Sequence, residues 1–171
     1  GGISGFLIES VVATIEVKST LTQSDLHQAV SAAKNAKSLS PSVIQAFRSG
    51  YCPPKVLNYV VAYDGPAQMG TVYNWINPIH QDIGVTIPDL PVDAQARQNT
   101  PAPTIDGIFV LGKGFIYFDN VQMGLDSEEV RRASPGMKWT VVNSTTGNLM
   151  VLFLFLQAAN SGVQGKWLNP I

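Results

Sequence analysis

A single cysteine, Cys52, stands among 171 residues, so no disulfide can close within the chain and no cluster of thiolates can hold zinc. That cysteine usage points to a reducing, cytoplasmic setting. Charge is scarce as well: 13% of residues are charged, roughly half of the ~25% usual in soluble domains. Eleven Lys and Arg against twelve Asp and Glu leave a formal net charge of −1, so no global basic field draws in nucleic acid. Long apolar runs are also missing. The most apolar stretch, Leu149 to Leu156, falls far short of the ~20 residues that cross a bilayer, and it reads as a buried helix or strand. The opening Gly1-Gly2-Ile3-Ser4-Gly5 lacks the basic start of a signal peptide, so none is expected.

What is present suits one α/β domain: 45% apolar residues, no repeats and no composition break that would mark a linker. From Phe6 to Lys18 the pattern is strand-like, which would put Val11, Ala13, Ile15 and Val17 on one face and Val12, Thr14, Glu16 and Lys18 on the other. Thr22 with Asp25 three residues on resembles a capping box, and Leu26, Ala29, Val30, Ala33 and Ala36 then recur at helical spacing to about Leu39. A short helix is expected around Val43, Ile44 and Phe47, then a buried strand over Val56–Tyr63. Met69, Val72, Tyr73, Ile76 and Ile79 predict a second long helix that Pro78 kinks or ends. Pro88, Pro91, Pro101 and Pro103 predict a long loop over 84–104. A hairpin follows, Ile105–Leu111 and Phe115–Phe118 around Gly112-Lys113-Gly114, then a strand over Lys138–Val142 and a closing helix from Asn148 to about Ala159, apolar all round and so packed on the sheet.

Chemistry concentrates at Glu16-Val17-Lys18. Residues two apart share a strand face, so a carboxylate and an ammonium project together at a strand end, just before a capped helix. As a structural feature alone, such a pair is a strand-end ion pair worth at most about 1 kcal/mol. Lys34 and Lys37, on the polar side of the following helix, are candidate phosphate contacts, set against an ordinary solvated face near the negative end of the helix dipole. His27 and His80 have no ligand-spaced partners and read as ordinary polar residues. Asp106 is notable because it opens a buried strand.

The block Ile8-Glu9-Ser10-Val11-Val12-Ala13-Thr14-Ile15-Glu16-Val17-Lys18-Ser19-Thr20-Leu21 resembles the signature of a bacterial and phage family of nuclease-like domains in the PD-(D/E)XK, or restriction-endonuclease-like, superfamily. Ala62-Tyr63-Asp64-Gly65, the Ile105–Gly114 hairpin and the apolar closing segment extend the resemblance over most of the chain. It implies a mixed β-sheet flanked by helices, with the Glu-x-Lys strand central and the next helix packed across it. It also implies hydrolysis of phosphodiester bonds in DNA, or RNA, with Mg²⁺ or Mn²⁺, in a bacterial or phage defence setting. Glu16 would be a metal ligand and Lys18 the charge-stabilising group. The superfamily's Asp on the preceding strand has no counterpart, since none of the fifteen residues before Glu16 is Asp and Glu9 is the one acidic candidate for a second ligand. The domain is therefore expected either to lack its amino-terminal helix and first strands in this chain or to have lost its metal site. In the second case the module would serve binding or homo-oligomerisation.

Overall fold

The computed structural model describes residues 10–40, 43–120 and 128–168. Strand β1 (Ala13–Thr20) runs into helix α1 (Gln23–Ser38), followed by β2 (Val43–Ser49), β3 (Leu57–Asp64) and α2 (Met69–Asp82). A short α3 (Ala94–Gln98) precedes the hairpin β4 (Gly107–Val110) and β5 (Gly114–Phe118). Then come α4 (Glu128–Ala133), β6 (Trp139–Asn143), α5 (Asn148–Ala159) and β7 (Val163–Leu168). Five strands form one mixed sheet in the order β1-β3-β4-β5-β6, and β2 pairs with β7 in a separate antiparallel ribbon. Within the main sheet β1, β3 and β4 are parallel, while β5 and β6 continue antiparallel.

Strand alternation divides the core between the two faces of this sheet. Val60, Ala62, Ile108, Val110, Ile116 and Phe118 meet the buried sides of α1 and α2, including Leu26, Val30, Val72 and Ile76. Leu57, Tyr59, Val61, Phe109, Phe115 and Tyr117 meet Leu152, Phe155 and Ala159 of α5 on the other face. The molecule is thus an α/β protein with a mixed sheet flanked by helices, as the sequence implies.

Several expectations change. Val43–Ser49 is a strand, not a short helix, because its partner β7 arrives from the other end of the chain. Gly162 permits that return, since a Cβ there would collide with the Tyr51 carbonyl. Helix α2 continues through Pro78 to Asp82, burying Ile79 and His80 beyond it. The 84–104 segment contains α3 and is tied down by Arg97, whose side chain is buried. Helix α5 is apolar all round but buries one side only, leaving Leu149, Met150 and Phe153 exposed. Strand β1 is an edge strand of the main sheet among the described residues rather than a central one, and Ile15 and Val17 are exposed. His80, expected as an ordinary polar residue, is buried.

Candidate active site

Glu16 and Lys18 sit on the face of β1 that looks toward α1. Thr14 and Glu16 line a groove of about 350 Å³ there, opposite Ala29, Ala32, Ala33 and Ala36, with Asn58 at its wall. Thr14 donates from Oγ1 to Asn58 Oδ1 at 2.7 Å, which ties the floor of this groove to β3. The alanines keep the helix surface low, so the groove stays open above the carboxylate.

Lys18 Nζ lies 2.9 Å from Glu16 Oε1 and 3.6 Å from Asp25 Oδ1, so the ammonium stands within reach of two carboxylates. Asp25 is fixed by the cap that starts α1. Thr22 donates to Asp25 Oδ2 from its amide at 3.1 Å and from its hydroxyl at 2.5 Å, and Asp25 N donates back to Thr22 Oγ1 at 3.2 Å. These bonds hold the Asp25 carboxyl below its ordinary range, with the Thr22 hydroxyl contributing most. The Glu16 hydrogen bond, outweighing partial desolvation, raises the Lys18 pKa and keeps the ammonium charged. The cap thus links helix formation to the electrostatics of the strand end: it places a second negative charge beside Lys18.

The groove opens toward the amino ends of β1 and β3 and the second half of α1, whereas Lys18 and Asp64 stand toward the carboxyl ends of the parallel strands. Leu21 N donates to the Asp64 carbonyl at 2.8 Å, and the Asp64 carboxylate lies 3.7 Å from Lys113 Nζ in the β4–β5 turn.

Glu16 and Lys18 are therefore brought together, and Asp25 joins them as a partner that sequence reading assigned only to capping. Glu9 lies outside the described residues. Lys34 is exposed, with Nζ donating to the Ile83 carbonyl at 2.7 Å, a link from α1 to the end of α2. Lys37 corrects the expectation of a solvated lysine: it is 7% exposed and paired with buried Asp106, which turns its ammonium inward and away from any phosphate.

Carboxylate oxygens are the donors Mg²⁺ prefers, and this ion is commonly held by one or two carboxylates plus water and substrate phosphate. Glu16, with a half-exposed side chain, fits that donor chemistry. Asp25 has one oxygen committed to Thr22 and the other turned to Lys18. Among the described residues no group of three or more His, Cys, Asp or Glu converges as a metal-binding cluster. No helix among them is long and apolar enough to cross a membrane. Comparison with protein-family models, curated proteins and solved structures finds no match.

Proposed function

We propose that the domain is a metal-dependent nuclease that hydrolyses phosphodiester bonds of DNA, or RNA, in a restriction-endonuclease-like manner and in a bacterial or phage defence setting. The reading rests on the resemblance of the Ile8–Leu21 block, and the observation that carries it is the Glu16–Lys18 pair, 2.9 Å apart on the groove face of β1 and next to the start of α1. Glu16 would hold Mg²⁺ or Mn²⁺, which when bound polarises the phosphate and lowers the pKa of a coordinated water. Lys18 has two jobs available to it. Kept cationic by Glu16 and Asp25, it draws a phosphate oxygen toward the strand end and offsets the charge that builds up there. The alanine face of α1 leaves room above Glu16 for the backbone of a nucleic acid.

The test is cleavage of supercoiled, linear and single-stranded DNA and of RNA, with Mg²⁺, with Mn²⁺ and with chelator. Metal-dependent cleavage that Glu16→Gln and Lys18→Ala each reduce by about a hundredfold or more, without loss of folding, is the expected result. No cleavage of any substrate with either metal, or unimpaired cleavage by Glu16→Gln, would overturn the reading.

A further inference from the structure

Strand β1 carries, besides its chemistry, a surface that matches itself. Eight residues long, it forms one edge of the main sheet among the described residues. Val12 O accepts from Leu57 N of the β3 side, so strand alternation turns the amides and carbonyls of Ile15 and Val17 outward. Their side chains are apolar and exposed, Val17 to 56%. A long apolar edge with outward backbone groups is a template for another strand.

We infer that the partner is a second copy of this chain, joined by antiparallel β1–β1 pairing across a two-fold axis at Val17. The argument is charge complementarity. A two-fold axis normal to the sheet pairs residues of the same face only, so the pairing centres on a residue. Centred on Glu16 it would oppose two carboxylates, and centred on Lys18 two ammoniums, both destabilising. Centred on Val17 it sets Glu16 opposite Lys18 of the second copy and Lys18 opposite its Glu16, Thr14 opposite Thr20, and Val17 against its own mate. The same register makes Val17 a hydrogen-bonded pair and the Glu16–Lys18 couples non-hydrogen-bonded pairs, whose side chains approach most closely. Each Lys18 already lies 2.9 Å from Glu16 of its own strand, so pairing closes a ring of four alternating charges. The ring uses the two side chains that the proposed nuclease would turn to metal and phosphate, so the assembly is tested by oligomeric state and not by cleavage.

Sedimentation equilibrium over a concentration series tests it. The chain is expected to dimerise, Glu16→Lys and Lys18→Glu each to weaken the dimer about tenfold by placing like charges opposite one another twice, and the double reversal to restore it. Val17→Lys, at an exposed position that leaves the fold intact, is expected to abolish the dimer, and it decides the matter if either charge reversal fails to fold. A monomer at every concentration, or a dimer indifferent to these reversals and to Val17→Lys, would overturn the inference.

Discussion

Lys37 Nζ lies 2.7 Å from Asp106 Oδ2, joining the last turn of α1 to the entry of β4 across 69 residues of sequence. Both side chains are shut away from water, Asp106 to 1% exposure. Asn58 N also donates to Asp106 Oδ2 at 2.7 Å, while Oδ1 has no partner among the described residues. Burial pushes the Asp106 carboxyl up from its ordinary range, and Lys37 and the Asn58 amide act against that push. The carboxylate thus depends on Lys37 for its charged form.

Lys37→Met should therefore leave a buried carboxyl without its counter-charge and destabilise the fold by about 3–5 kcal/mol in urea denaturation. Replacing both partners with apolar residues, Lys37→Met with Asp106→Leu, should recover most of that loss, because no lone charge stays inside. A single variant within 1 kcal/mol of the parent would show that the pair contributes no such coupling.

Asp119 poses the converse case. Its carboxylate accepts from Arg131 Nε at 2.9 Å and Nη2 at 2.7 Å and from Arg97 Nη1, all three side chains being buried. Arg97 Nε also donates to the Pro91 carbonyl at 2.7 Å, so one residue pins the 84–104 segment to the end of β5. Asp119→Asn should cost at least about 3 kcal/mol, since it leaves two buried guanidiniums facing a neutral amide. Arg97→Lys should expose 84–104 to limited proteolysis, because a lysine cannot reproduce the fork of bonds. Protection from protease equal to the parent's would refute that role.

The β4–β5 turn separates two glycine effects. Gly112 has a φ of 71° with open space around it among the described residues, whereas a Cβ on Gly114, φ 147°, would collide with the Val142 carbonyl of β6. Gly112→Ala should cost about 1 kcal/mol of backbone strain. Gly114→Ala should cost clearly more, because the β5–β6 ladder must shift. Equal thermal midpoints for the two variants would contradict this account.

Elements whose signal is local were legible. The Thr22–Asp25 cap, the alternation of β1, the buried run of β3 and the glycine turn of the hairpin each lie within a few residues of the structure they specify. Val43–Ser49 was not, because its strand character comes from β7, more than a hundred residues away, and Val43, Ile44 and Phe47 alone also fit helical spacing. The two buried ion-pair systems were equally silent. Lys37 looks like any lysine near a helix end until Asp106 is folded against it, although Asp106 could be noticed as a charge opening an apolar strand. At the candidate site, Glu16 and Lys18 were found by parity, while Asp25 was hidden because its capping role already accounted for it. The sheet position of β1 depends on which strands flank it, and no pattern within one strand carries that.

His80 gives the fold a dependence on pH whose sign follows from its bonds. The ring is buried between α2 and the chain at Thr104: Nδ1 lies 2.8 Å from the Ile76 carbonyl and Nε2 2.8 Å from Thr104 Oγ1. A carbonyl only accepts, so Nδ1 carries the proton, and Nε2 is left to accept from the hydroxyl in the neutral ring. Burial, the larger influence, holds the pKa below the ordinary 6.5. As pH falls below 6.5 the unfolded chain takes up a proton that the folded one refuses, so stability present above that value is lost progressively. The loss levels off once pH drops below the folded pKa and both states are protonated. Urea midpoints measured downward from neutral pH should decline through this window in the parent. His80→Gln, which keeps a donor and an acceptor but does not titrate, should flatten that part of the curve even if it lowers stability overall. A variant that retained the full decline would place its origin in other groups and remove His80 as the cause.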